Sequence, residues 1–370
     1  MFPVVTVNGT AHERGRQYGI QARTRIHRSI AGYADLFQHY ASWSWARATA
    51  EAERFVPAIA DFAPDCLEEM GGLAAGADVA LADILAINVR TEIMYSARVR
   101  AASPVKVPPA PAECSAFASS VPGKHVIVGQ NWDWVPFARD TVVVLQSMPD
   151  HGPAFVTVVE AGLLAKFGVN SEGLAVMTNA MACTEDVGEA AVPYHVMLRA
   201  LLACGSTEEA LARLSHATRA SSANYLLADE SGSAVDVEAQ PGDASMLHLL
   251  PPDEHGVLLH TNHFCSPRFD STDLADLVPS TSQFRLDRVA DVVASAADAD
   301  GVATYTAALS DHAQYPDSVC RHLDPGVPAA EQTATVASTI VDLTERQVWL
   351  SEGQPCLRGY EQLDFSAIWS

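Results

Sequence analysis

The stretch Ala112-Glu113-Cys114-Ser115-Ala116-Phe117 separates two kinds of text in this chain. Just before it lies Ala101-Ala102-Ser103-Pro104-Val105-Lys106-Val107-Pro108-Pro109-Ala110-Pro111, whose four prolines deny it helix and ladder hydrogen bonds. An extended linker over residues 101–113 is therefore expected, read either as a domain boundary or as an exposed processing segment. Just after it, β-branched and apolar residues alternate with a period of two, so a strand is expected to begin at the cysteine.

Upstream of the linker the pattern is helical. Residues 1–9 read as a short strand and turn, and residues 13–98 as mostly helix. Leu81, Ile84, Leu85, Asn88 and Val89, for example, fall at helical spacing. Downstream, strands are expected at 115–121, 124–131, 141–148, 154–160 and 173–179, and again at 223–229, 234–238, 246–250 and 257–261. Helices fill 194–203, 207–215, 283–295 and 304–311, and a closing hairpin spans 333–343 and 347–351. Too few crossovers remain for parallel pairing, so most strands should be antiparallel. Helices in pairs between blocks of strands suggest an α+β fold, two packed sheets with helices on both outer faces.

Composition narrows the functional classes. With 48% hydrophobic and 18% charged residues, the 370-residue chain can bury a sizeable core. Acidic residues outnumber basic ones 45 to 23, a net charge of −22, which argues against nucleic acid and against an anionic membrane surface as partners. No apolar run reaches the ~18 residues of a bilayer span, and the start lacks a signal-like segment, so a cytoplasmic protein is expected. Seven cysteines without a CxxC pair indicate neither a disulfide framework nor a zinc knuckle. His260 and His263 lack acidic or thiol ligands nearby in sequence, so no metal site is expected.

Cys114 is the candidate nucleophile. A thiol needs a base to take its proton and donors to hold the oxyanion that forms. In an unprocessed chain the base would be a histidine such as His195 or His260. A linker that ends directly at the cysteine suits a different solution, an N-terminal nucleophile whose own α-amine is the base, with an ordinary pKa of about 7.7–8.0. That amine would arise when the Cys114 thiol attacks the carbonyl of Glu113 and the ester is hydrolysed. A ligand-binding relative that has lost the chemistry is the third reading.

Cys114-Ser115-Ala116-Phe117, followed by Gly129-Gln130-Asn131-Trp132-Asp133-Trp134, resembles the isopenicillin-N/acyl-coenzyme A acyltransferase-like branch of the N-terminal-nucleophile (Ntn) hydrolases. Further matches follow in order: Asn170-Ser171-Glu172-Gly173-Leu174-Ala175 through Asn179, Asn224-Tyr225-Leu226-Leu227, Val237-Glu238 and His260-Thr261-Asn262-His263. Ser282-Gln283-Phe284-Arg285-Leu286-Asp287-Arg288, Ser318-Val319-Cys320-Arg321 and Gly353-Gln354-Pro355-Cys356 complete them.

The resemblance implies the four-layer αββα Ntn-hydrolase fold, with 1–113 as a cleaved small subunit and 114–370 as the catalytic large one. It implies Cys114 as both autoproteolytic residue and acyl acceptor, Asp133 orienting the new amine, and Asn262 as oxyanion donor. Arg285 with Ser282 would favour the thiolate, and Asn179 would add a polar contact. Substrates would be small N-acyl compounds, with acyl-coenzyme A as an alternative acyl donor, and no metal or organic cofactor would be required. Members of the family typically carry Gly before the cysteine. Glu113 here restricts the strained backbone that helps an N-to-S acyl shift.

Overall fold

The computed structural model describes residues 1–99, 113–278, 280–296 and 301–369, so most of the expected linker lies outside the described residues. Its strands are β1 (Val4–Gly9), β2 (Glu113–Ser119), β3 (Ile127–Trp134), β4 (Val142–Pro149), β5 (Phe155–Glu160), β6 (Phe167–Asn170) and β7 (Leu174–Ala180). They continue with β8 (Ala223–Asp229), β9 (Ala234–Ala239), β10 (Leu247–Leu250), β11 (Val257–His260), β12 (Ala334–Asp342), β13 (Gln347–Glu352) and β14 (Glu361–Leu363). The helices are α1 (Ala11–Leu36), α2 (Trp45–Ala52), α3 (Val56–Phe62), α4 (Pro64–Ala77), α5 (Leu81–Asn88), α6 (Arg90–Val99), α7 (Tyr194–Leu201), α8 (Thr207–His216), α9 (Ser282–Ser295), α10 (Val302–Leu309) and α11 (Pro355–Arg358). None is long and apolar enough to cross a membrane.

The strands form an eight-stranded sheet, ordered β1-β4-β5-β6-β7-β8-β9-β10, and a six-stranded sheet, ordered β11-β2-β3-β12-β13-β14. Among the described residues every pairing between these strands is antiparallel except β1 with β4. The sheets meet where β2 and β3 cross β7 and β8. Helices α1 and α8 lie on the outer face of the larger sheet, and α9 and α10 on that of the smaller one. This is the expected αββα layering. Strands β6 and β14 escape sequence reading because four and three residues are too few to show a period.

Alternation along β2 sends successive side chains to opposite layers. Cys114, Ala116 and Ala118 join the core between the sheets, while Phe117 packs with Ile127, Val289, Val293 and Tyr305 beneath α9 and α10. Phe117 and Tyr305 stack at 3.8 Å between ring centroids.

The segment before the linker is built into this core. Strand β1 pairs along its length with β4, from Val4 opposite Val144 to Gly9 opposite Pro149. Helix α1 opens on a capping box in which Thr10 and Glu13 satisfy each other's backbone N–H groups. It then packs on α4 almost backbone to backbone through glycines. A Cβ at Gly15 would stand 1.9 Å from the Glu69 carbonyl oxygen, and one at Gly72 would stand 2.0 Å from that of His12. Beside this contact, buried Glu69 accepts hydrogen bonds from Arg14 (3.0 Å) and Arg199 (3.1 Å).

Two adjacent glycines of α4 test this contact. Alanine is favoured over glycine within a helix by up to about 1 kcal/mol, and Gly71 has open space where its Cβ would go. Gly71→Ala should therefore raise the melting temperature. At Gly72 the clash with backbone outweighs propensity, so Gly72→Ala should lower stability by about 1–3 kcal/mol. Thermal denaturation of both variants checks the contrast.

Candidate active site

Cys114 is the second residue of β2 and stands opposite Trp132, while Glu113, the first, pairs with Asp133. The peptide bond between Glu113 and Cys114 is thus held in a ladder between two strands. The Cys114 N–H donates to Asn262 Oδ1 at 2.6 Å, and the Cys114 carbonyl accepts from Arg285 Nη1 at 2.7 Å. Arg285 also donates to Ser115 Oγ (3.0 Å), Asn262 Oδ1 (3.0 Å) and Thr281 Oγ1 (3.2 Å). It is fully buried.

Ser282, one turn before Arg285 on α9, holds the loop that carries Asn262. Its hydroxyl accepts from the Asn262 N–H (2.7 Å), donates to Thr261 Oγ1 (2.9 Å) and lies 2.7 Å from His263 Nδ1. Ser282 therefore positions Asn262. Asn262 Nδ2 donates to the Ala180 carbonyl at 2.8 Å, which commits one of its two N–H groups. Asn179 binds the His260 carbonyl (3.4 Å) and accepts from Asn224 (3.1 Å), so it braces the strand leading to Asn262. Buried Asp133 accepts from Thr335 Oγ1 at 2.6 Å.

Cys114 is itself buried. Burial pushes its thiol up; Lys166 pulls it down, Asp133 raises it, and the Asp133 backbone N–H and Arg285 lower it. Lys166 is thus the strongest cation acting on the thiol, ahead of Arg285, and it lies outside every motif that points to the site in sequence. Burial and the Arg90 charge lower its own ammonium to about 8, and its Nζ sits 4.5 Å from the Trp132 ring centroid. The signal that could have found it is a single lysine inside the apolar run from Gly162 to Val169.

Neither histidine considered as a base is presented to Cys114. Nε2 of His195 accepts from Arg90 Nε (3.1 Å) and its Nδ1 donates to the Ala165 carbonyl (3.1 Å). His260 lies 2.9 Å from Glu238 Oε1 through Nε2 and 2.8 Å from the Thr261 carbonyl through Nδ1. Both of its partners are acceptors, so both ring nitrogens carry protons. Burial opposes that charge, but Asp236, Cys265 and Glu238 outweigh it and hold His260 well above its ordinary range. Burial likewise raises Glu238, but its bond to His260 and the N–H groups of Cys265 and Ser266 bring it below the usual carboxylate range.

These charges can be tested separately. In Lys166→Met, thiolate formation at Cys114 should move to higher pH, read as the ultraviolet thiolate signal that Cys114→Ala abolishes; an unchanged titration would rule out Lys166 as its partner. For His260 the folded value is raised, so its stabilisation is complete below about 6.5 and lost as pH rises through the folded value. His260→Leu should cost about 3–5 kcal/mol at neutral pH and flatten that alkaline loss in urea unfolding.

Comparison with known proteins places the chain in a family. A family model described as acyl-coenzyme A:6-aminopenicillanic acid acyl-transferase matches residues 121–356, a span that holds Asp133, Asn262 and Arg285 and begins beyond Cys114. The "acyl-coenzyme A:6-aminopenicillanic-acid-acyltransferase 40 kDa form" of Emericella nidulans is 24% identical over 352 residues, 95% of this chain and 92% of the relative. Similar solved structures include a mutant conjugated bile acid hydrolase from Clostridium perfringens, with a TM-score of 0.45 and 13% identity over 70% of this chain and 94% of that one. Penicillin V acylase from Agrobacterium tumefaciens gives a TM-score of 0.42 and 15% identity over 68% and 86%. With more than half of its length matched by the family model, the chain belongs to the acyl-coenzyme A:6-aminopenicillanic acid acyl-transferase family.

Proposed function

We propose that this protein cuts itself between Glu113 and Cys114 and then acts as an N-terminal-cysteine amidohydrolase or acyltransferase on small N-acyl compounds. The observation that carries the reading is the grip on Cys114 itself, through the peptide groups on both sides of it. The Cys114 N–H is held by Asn262 and its carbonyl by Arg285, while Lys166 acts on the thiol.

In the first stage the Cys114 sulfur attacks the Glu113 carbonyl carbon, the C–N bond breaks, and the nitrogen takes a proton. Water then hydrolyses the resulting thioester, leaving residues 1–113 as one polypeptide and Cys114 with a free α-amine. Asp133, across the ladder from Glu113, favours the ammonium form of that amine. In the second stage the amine takes the thiol proton, and the thiolate attacks the carbonyl of an amide or of acyl-coenzyme A. The second N–H of Asn262 Nδ2 stabilises the oxyanion. The amine or thiol leaves with a proton, and water or an amine acceptor releases the acyl group from sulfur. We place this work in the cytoplasm.

Denaturing electrophoresis with N-terminal sequencing tests the first stage. Two fragments are expected, the larger beginning Cys-Ser-Ala-Phe, and Cys114→Ala should remain a single chain. Glu113→Gly should speed the cut by relaxing the backbone before the cysteine. A fully active preparation consisting of one unbroken chain would refute the proposal.

A further inference from the structure

Four side chains that the mechanism does not use converge behind Asp133. His312 follows α10, Cys320 and His322 lie farther along the same loop, and Cys356 stands in α11. One ligand atom from each lies within 4.8 Å of all the others. Nε2 of His312 is 3.1 Å from Nε2 of His322, and the Cys320 sulfur is 3.6 Å from that of Cys356. His322 Nε2 is 3.7 Å from the Cys320 sulfur and 3.4 Å from the Cys356 sulfur.

These separations are those of a coordination tetrahedron. With Zn–S of about 2.3 Å and Zn–N of about 2.0–2.1 Å, its edges are about 3.3 Å between nitrogens, about 3.6 Å between nitrogen and sulfur and about 3.8 Å between sulfurs. A disulfide would instead bring the sulfurs to about 2.05 Å. We propose that His312, Cys320, His322 and Cys356 form a structural site for one zinc-type divalent cation.

Two thiolates and two neutral imidazoles around a divalent cation give a site of zero net charge. Binding therefore releases two thiol protons to solvent. Cys320 is buried, whereas His312 and Cys356 reach the surface and give the ion a way in. A second cluster, Glu238, His260 and Cys265, offers three ligands, but its carboxylate already accepts from His260, Cys265 and Ser266.

The site's place in the fold gives it a task. Arg321, between two of the ligands, donates its N–H to Thr335 Oγ1 (2.9 Å) and accepts from the Thr335 N–H (3.0 Å). Thr335 in turn holds Asp133 at 2.6 Å. The ion would staple the loop from His312 to His322 onto α11, fixing the support of the carboxylate beside the Glu113–Cys114 bond.

The test uses the full chain, purified under reductant, treated with chelator and titrated with cobalt(II) and then zinc(II). One cobalt per chain is expected, with the intense visible bands of a tetrahedral thiolate site, displaced by zinc together with a rise in melting temperature of several degrees. Cys356→Ser and His312→Ala, both at exposed positions, should each weaken binding at least tenfold, whereas Cys265→Ser should leave it unchanged. The weak spectrum of six-coordinate cobalt, or binding that Cys265→Ser abolishes and Cys356→Ser spares, would overturn the assignment. So would a Cys320–Cys356 disulfide that persists under reductant in the mass of the intact protein.

Discussion

The Arg285 guanidinium is the constraint on which the site depends. From the first turn of α9 it reaches through the helical layer to the Cys114 carbonyl, the Ser115 hydroxyl and the Asn262 side chain. Hydrogen bonds to a charged donor contribute about 1.5–3 kcal/mol each, and a buried carbonyl that loses its donor bears the desolvation cost instead. Residues i and i+3 of a helix share a face, so the turn that delivers Arg285 also delivers Ser282, which holds the Asn262 backbone. Helix α9 thereby orients two separate segments, the start of β2 and the loop after β11.

The pleat of β2 and β3 divides the chemistry between two sides of one sheet. Cys114 and Trp132 face the other sheet, where Lys166 acts on the sulfur in an apolar surrounding that magnifies charge. Ser115 turns to α9, and Asp133 to Thr335 on the neighbouring strand. The backbone between Glu113 and Cys114 lies where the two groups of side chains meet. Its geometry is set by the ladder with β3, not by a flexible loop.

Much of this was legible in the residues because it is local. The change from helical to alternating periodicity on either side of the linker located β2 to within about two residues. The resemblance carried by the His-Thr-Asn-His run and the Ser-x-x-Arg stretch named Asn262, Ser282 and Arg285, which the fold brings together. The illegible parts are contacts between distant segments. Lys166 precedes a four-residue strand and acts on Cys114 only once the sheets stack. Likewise, His260 carries no sign in its neighbours of the pairing with Glu238, which needs β9 of one sheet to meet β11 of the other. The cysteines at 320 and 356 are too far apart in sequence to read as a ligand pair, although their sulfurs are 3.6 Å apart in space.

The residues before the linker are joined to those after it by more than one peptide bond. β1 is an edge strand of the larger sheet, Arg90 forms a buried ion pair with Glu160 at 3.0 Å, and Tyr33 accepts from Trp134. Under the proposed cleavage these bonds survive the cut, so the fragments stay together as a heterodimer whose interface is the former interior of a monomer. Such an interface is assembled intramolecularly, with no diffusional search and no dependence on concentration. Fragments expressed from separate genes would have to find each other while each exposed half of a core, and aggregation would compete with their union.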